Sequence, residues 1–152
     1  MTANDIDEVV AIEQRLFPSP WLRQSYEHEL VCETARSYIM RCCRHDTDGQ
    51  PLIAYAALRL MVEEIQLLRL GVAEGWQRRG AATYLLHQCL IRAVAEGAEN
   101  AFLEVRASNS PAIHLYQRLG FRLIGRRPNY YSDTHEDALM MIKNLKEEHN
   151  ER

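Results

Sequence analysis

The segments Leu70-Gly71-Val72 and Trp76-Gln77-Arg78-Arg79-Gly80-Ala81-Ala82-Thr83 decide how this chain folds. The first reads as the apolar end of a strand. The second opens a long amphipathic stretch in which Leu85, Leu86, Cys89, Leu90 and Ala93 share one side of a helix. The junction breaks a local rule, because a helix N-terminus carries about half a positive charge and attracts Asp or Glu, whereas Arg78 and Arg79 stand here. A bound anion would resolve the conflict. Gly80, Ala81 and Ala82 are small enough to let backbone N–H groups approach a phosphate or pyrophosphate, with Thr83 and the two arginines beside them. The plainer alternative is that Gly80 simply begins the helix and the arginines extend into water.

Upstream of this junction, Ile6, Val9, Val10, Leu16 and Phe17 recur at helical spacing until Pro18 and Pro20 end the run, and a second short helix is expected over residues 22–30. Two apolar stretches, 37–44 and 52–62, flank a turn-like segment at 45–51 and predict a hairpin. A third strand covers 64–72. Downstream, the long helix ends near Gly97, residues 101–105 read as a buried strand, and Ser110-Pro111 begins a helix with Gly120 just past its end. Residues 121–126 and 138–143 are the last strands, around a polar loop at 129–137, and the charged residues 144–152 are expected to fray. The order ααβββαβαββ predicts an α/β (α+β) fold: an antiparallel meander, then strand-helix-strand units with parallel crossovers, giving a mixed sheet flanked by helices.

With 152 residues, 47% of them apolar, the chain is expected to form one domain, 1–152, with its own core. Eighteen Lys plus Arg against 21 Asp plus Glu give a charge of -3, leaving no basic excess to bind a nucleic-acid backbone. The acidic N-terminal residues and the lack of any apolar run near the ~18 residues of a membrane span predict a cytoplasmic protein without a membrane partner. Cys32, Cys42, Cys43 and Cys89 lack C-x-x-C spacing and are read as reduced packing residues. The histidines at 28, 45, 87, 114, 135 and 149 show no ligand spacing, so no metal is expected. Met40, Met61, Met140 and Met141 are read as core filling within strands.

The pattern Gln77-x-x-Gly80-x-Ala82 after Leu70-Gly71-Val72 resembles the acetyl-CoA loop of the GNAT acetyltransferases, and the element order matches that fold over nearly the whole chain. Four further segments are similar to the RimI branch of that family: Phe17-Pro18-Ser19-Pro20-Trp21, Leu103-Glu104-Val105-Arg106-Ala107-Ser108-Asn109, residues 112–121, and Asn129-Tyr130-Tyr131 with Glu136-Asp137-Ala138. The resemblance implies transfer of acetyl from acetyl-CoA to the N-terminal alanine of a small-subunit ribosomal protein. Ser19, inserted between the prolines, and Ala81-Ala82, where many such loops have a hydrophobic residue and Gly, are departures from the pattern.

Acyl transfer to an amine needs an uncharged nucleophile. At pH 7 an α-amine with a pKa near 7.8 is ~14% neutral and a lysine near 10.4 only ~0.04%, a difference of roughly 3.5 kcal/mol. Glu104, in an apolar strand, occupies the RimI-like base position; its alternative is a strand-end carboxylate paired with Arg106 or another cation. Tyr116 matches the family's proton donor to the leaving thiolate; its alternative is a core tyrosine with a satisfied hydroxyl. Asn109 would either cap its helix or contact the pantetheine arm of acetyl-CoA, which the backbone of Leu70, Gly71 and Val72 would also meet. Tyr130 and Tyr131, two aromatics in a polar loop, either receive the acceptor peptide opposite Phe17 and Trp21 or pack under the sheet. Asp133, Glu136 and Asp137 are expected to make that mouth negative. Other readings are a GNAT acting on a small amine or a lysine side chain, and a silent acyl-CoA binding module.

Overall fold

The computed structural model describes residues 1–43 and 49–146. The turn expected at 45–51 falls largely outside them, as does the end of the charged tail. The elements are α1 (Ile6–Leu16), α2 (Arg23–Val31), β1 (Ala35–Arg41), β2 (Leu52–Met61), β3 (Glu64–Val72), α3 (Ala81–Ala95), β4 (Asn100–Arg106), α4 (Ser110–Arg118), β5 (Arg122–Arg127) and β6 (Ala138–Asn144). Two short 3-10 turns, Ala3–Asp5 and Glu74–Trp76, add to the expected order without changing it. The strands form a six-stranded mixed sheet in the order β1-β2-β3-β4-β6-β5.

The chain divides into two compact units, one of Met1–Leu58 with Arg69–Cys89, the other of Arg59–Leu68 with the chain from Leu90 onward. In the first, Ile6 and Val9 of α1 are fully buried with Tyr26 of α2 and with Leu52 and Tyr55 of β2. Helix α1 stops at Leu16 because Phe17 precedes a proline, which disfavours helical backbone; Phe17 is extended, with φ -116 and ψ 136. Gly71 in β3 is fixed by packing: a Cβ there would lie 2.4 Å from the Tyr55 ring, well inside contact distance.

In the second unit β3 and β4 run parallel, with Ile65 beside Ala101 and Leu67 beside Leu103. Strand β6 pairs antiparallel to β4 over its whole length, Asn100 opposite Asn144 and Arg106 opposite Ala138, and antiparallel to β5 on its other edge. Thus β4 and β5 do run parallel, as the crossover rule requires, but β6 separates them. Along β4 the residues alternate: Ala101, Leu103 and Val105 are buried, while Phe102, Glu104 and Arg106 form the half-buried face.

Three sequence expectations need correction. Met61 is 45% exposed because it sits at the end of β2, beyond the core. Cys43 lies past the end of β1 and is exposed, so it fills no core, whereas Cys89 is buried. The tail is ordered through 146: Leu145 is buried and its N–H donates to the Glu99 carbonyl at 2.8 Å.

Candidate active site

In the first unit the chain leaves β3 at Val72 and is drawn back on itself, the Gln77 side-chain amide donating to the Val72 carbonyl at 3.1 Å. Arg78 (φ 60) and Gly80 (φ 83) then take left-handed backbone conformations that turn the chain into α3. The Gly80 carbonyl accepts the first helical bond, from the Tyr84 N–H at 2.9 Å. The amides of Ala81, Ala82 and Thr83 lie ahead of that bond and have no acceptor within the helix. Apart from its chain neighbours, no described residue lies within 4 Å of where a Gly80 Cβ would stand, so the loop is open on that side. Arg79 stacks on Trp76, 5.3 Å from the ring centroid, which orients one of the two arginines beside the helix start. Leu70 and Val72 of β3 are half-buried, and Gly71 between them is buried.

Phe17 and Trp21 belong to a second cluster of the same unit, whose centre the sequence reading missed. Glu13 is fully buried and surrounded by donors. Its Oε1 accepts the Trp21 backbone N–H at 2.9 Å and pairs with Arg69 at 2.7 Å. Its Oε2 accepts the Tyr26 hydroxyl at 2.9 Å and also the Tyr55 hydroxyl. Burial, with the neighbouring Glu13 charge, pushes the Tyr26 phenol far above its usual range; burial and the Tyr26 phenol do the same to Tyr55. Both tyrosines therefore remain donors. The Arg69 guanidinium lies 4.3 Å from the Phe17 ring centroid and 5.4 Å from that of Trp21, and donates to the Ser19 carbonyl at 2.7 Å. One sequence signal could have found Glu13: it is in helical phase with Ile6 and Val9, so a carboxylate stands on the buried stripe.

The second unit brings Glu104, Tyr116, Tyr130 and Tyr131 into one neighbourhood. Glu104 pairs through Oε1 with Arg127 Nε at 3.3 Å, so the ion pair of the plainer reading is present, with Arg127 and not Arg106 as the cation. Its Oε2 is buried and has no hydrogen-bond partner among the described residues. Hydrogen bonding toward the Glu104 carboxylate, followed by burial, raises the Tyr130 phenol above its ordinary value, which sets that hydroxyl beside the glutamate. Tyr116 is 8% exposed, and burial followed by the nearby Tyr131 phenol pushes its ionisation upward. Its ring meets Phe121 edge to face at 5.9 Å, an arrangement worth ~0.5–1.5 kcal/mol beyond area burial.

Tyr130 and Tyr131 are perpendicular at 5.2 Å, and Tyr130 is 51% exposed, so it does not pack under the sheet. Arg106 lies 4.0 Å over the Tyr131 ring and forks onto Asp133 at 2.7 and 3.0 Å, also reaching Thr134 at 2.9 Å. Hydrogen bonds from Ser108, then from Thr134 and Arg106, hold the Glu136 carboxyl below its usual range. Asp137 pairs with Arg126 at 3.0 Å. The expected negative mouth is reduced but keeps its sign: Arg106 is shared by Asp133 and Glu136 and Arg126 pairs with Asp137, so three carboxylates face two guanidiniums. Asn109 accepts the Ala112 N–H at 3.3 Å and so caps α4, leaving its amide nitrogen as the group that could meet a ligand.

Among the described residues no group of three or more His, Cys, Asp or Glu is placed to hold a metal, and no helix is long and apolar enough to cross a membrane.

Comparison with known proteins adds to this geometry. The model of the Acetyltransferase (GNAT) family matches residues 6–121. A protein of Salmonella typhimurium described as [ribosomal protein bS18]-alanine N-acetyltransferase is 31% identical, over 93% of this chain and 92% of that protein. The crystal structure of the ribosomal-protein-S18-alanine N-acetyltransferase from Escherichia coli superposes with a TM-score of 0.82 at 28% identity, covering 95% of this chain and 90% of the other. NAA60 of Arabidopsis thaliana, solved in complex with acetyl-CoA, shares the fold with a TM-score of 0.85 at 20% identity, covering 94% of each chain.

Proposed function

The chain belongs to the GNAT acetyltransferase family, and from that premise we propose that it moves the acetyl group of acetyl-CoA onto the N-terminal α-amine of a protein. The acceptor that the named relatives favour is the N-terminal alanine of a small-subunit ribosomal protein. Residues 1–152 act as one acetyltransferase domain, working in the cytoplasm.

One observation carries the reading: a buried carboxylate oxygen, Glu104 Oε2, that makes no hydrogen bond of its own among the described residues while the Tyr130 hydroxyl stands beside the carboxylate. Such an oxygen costs free energy unless a ligand or water supplies the proton, and the proton on offer in this chemistry is that of the incoming amine. Arg127 holds the other oxygen and so fixes the carboxylate's orientation. Glu104 takes one proton from the ammonium, directly or through a water, and the freed nitrogen lone pair adds to the acetyl carbon; as the carbon–sulfur bond breaks, the second proton of that nitrogen passes to the departing thiolate or to water, leaving the amide and CoA. Tyr116, kept protonated by burial, hydrogen-bonds the departing sulfur. Tyr130 and Tyr131 of the second unit are acceptor contacts in this reading, and Phe17 and Trp21 are the candidates for that role within the first unit.

Acetyl-CoA fits the remaining donors as co-substrate. Its pyrophosphate suits Arg78, Arg79 and the start of α3 at Gly80, Ala81, Ala82 and Thr83, and its pantetheine amides suit the backbone of Leu70, Gly71 and Val72 in the same unit; within the second unit, the Asn109 amide nitrogen is a separate candidate ligand contact. Gly80→Val should weaken acetyl-CoA binding at least tenfold by calorimetric titration. Because Gly80 has a positive φ, valine there also strains the backbone by ~1–3 kcal/mol, so Tm should fall by a few degrees, against the simple expectation of an untouched fold. Unchanged affinity would remove the anion from this loop.

The acceptor is tested with purified protein, acetyl-CoA and short peptides that start with alanine, carry a blocked N-terminus, or offer a lysine. Acetylation should be confined to free N-termini. Tyr130→Ala and Tyr131→Ala should each raise the peptide KM about fivefold to twentyfold, the loss of one aromatic contact. Since the loop keeps one carboxylate in excess of its paired arginines, the KM of a cationic N-terminus should rise as salt goes from 50 to 200 mM, by no more than about threefold. A free lysine or polyamine proving the better acceptor, with both KM values unchanged, would overturn the N-terminal reading.

A further inference from the structure

Arg69 is built into the first unit in a way that its charge alone does not explain. One nitrogen of its guanidinium serves both Glu13 Oε1 and the Ser19 carbonyl, each at 2.7 Å. An ammonium could supply those two bonds. The arginine instead keeps its Nε–H buried without a partner, a cost that a lysine at this position would not carry. What the arginine adds is its plane, which lies 4.3 Å from the Phe17 ring and 5.4 Å from Trp21. The same loop is tied at its far end, where the Trp21 N–H donates to Glu13. Glu13 is in turn fixed by the Tyr26 and Tyr55 hydroxyls, both held protonated by burial. The strap therefore runs from α1 and β3 to both aromatic rings and to the carbonyl of Ser19, the residue inserted between the two prolines.

We propose that Arg69, anchored by the buried Glu13, is a positioning residue that sets the geometry of the Phe17 and Trp21 rings and thereby the affinity for the acceptor peptide. This rests on the reading that those two rings contact the acceptor. Arg69 touches no reacting atom, so its contribution belongs in KM and not in kcat.

Two variants separate its parts. Arg69→Lys keeps a cation opposite Glu13 and loses the flat face, whereas the double variant Glu13→Gln with Arg69→Gln removes the charge pair together without leaving either charge buried alone. Steady-state kinetics with an alanine-starting peptide, run well below each variant's Tm, should show KM raised about threefold to tenfold for Arg69→Lys and tenfold or more for the double variant. Saturating kcat and the acetyl-CoA Kd should stay within twofold. Phe17→Ala is measured alongside. If it raises KM while Arg69→Lys and the double variant leave KM within twofold, the rings bind the acceptor without needing the strap and the inference is wrong. Should Phe17→Ala itself leave KM unchanged, the acceptor reading fails and takes the strap with it. Equal losses in kcat, KM and acetyl-CoA affinity would mark Arg69 as a general folding residue and also overturn the proposal.

Discussion

Glu104→Gln should lower kcat/KM for an alanine-starting peptide by about 10²–10³ at pH 7, the range expected for a positioned general base. Glutamine keeps the shape of the side chain and an oxygen for Arg127, which is half-exposed and tolerates loss of its partner charge. The variant should therefore fold normally, and the loss is chemical. Its pH profile is the decisive measurement. Without the base, the rate follows the fraction of acceptor that has already shed its proton, ~2% at pH 6, ~14% at pH 7 and ~94% at pH 9 for an amine with a pKa near 7.8. The variant should thus recover steeply up to about pH 8 and then level, so that its deficit narrows as pH rises. A constant deficit across that range would deny Glu104 the role. A second signature is independent of turnover: the Glu104 charge raises the Tyr130 phenol, so removing it should return that tyrosine toward its ordinary value of about 10 in a spectrophotometric titration.

Tyr116→Phe should reduce kcat by about 10–10² with acetyl-CoA affinity held within threefold. Burial pushes the Tyr116 phenol upward, which keeps its proton in place at every working pH but also makes it a poor donor to a thiolate whose conjugate acid has a pKa near 8.5. At equilibrium the proton stays on the tyrosine. Its contribution is then a hydrogen bond that strengthens as negative charge gathers on sulfur, and that interaction appears in kcat more than in ground-state binding. The described residues give the hydroxyl no hydrogen bond, so phenylalanine strands no partner and preserves the edge-to-face contact with Phe121. Thermal unfolding should accordingly shift by no more than about 2 °C. A large fall in Tm with kcat unchanged would mark Tyr116 as a core residue alone.

Local chemistry made much of this legible from the sequence. Pro18 after Phe17, Pro111 behind Ser110 and Gly120 past Leu119 announce helix ends through backbone constraints that act on one or two residues, and β3 falls on its expected bounds, Glu64–Val72. Glu104 and Tyr116 could be singled out because they fall on the base and proton-donor positions of the family that the chain resembles; the residues themselves show only a carboxylate in an apolar strand and a tyrosine on the apolar side of a helix. The Glu13, Tyr26, Tyr55 and Arg69 network stayed hidden for the opposite reason. Its members come from α1, α2, β2 and β3, and nothing local to any of them specifies the others. The strength of the negative mouth was hidden in the same way, since Asp133 and Glu136 look unpaired until β4 brings Arg106 alongside. Likewise, Tyr55 fits over Gly71 only through contact between strands, so the sequence offers a glycine without showing what it makes room for.

The placement of β6 between β4 and β5 has a consequence for the order of assembly. About 30 residues separate the end of β4 from the start of β6, and β5, made in the interval, pairs with no other strand. At the usual ~5–20 residues per second of synthesis, the nascent chain spends about 2–6 s with one edge of β4 open, and β5, finished about 10 residues before β6 begins, spends about 0.5–2 s of that time unpartnered. Local pairing cannot shorten that wait, because the missing strand has not yet been made. During it the apolar Leu123 and Ile124 of β5, still 57% and 45% exposed in the finished fold, have no neighbour to pair with. The four arginines around them, Arg118, Arg122, Arg126 and Arg127, supply the like charge that keeps two such edges on neighbouring nascent chains apart until β6 arrives.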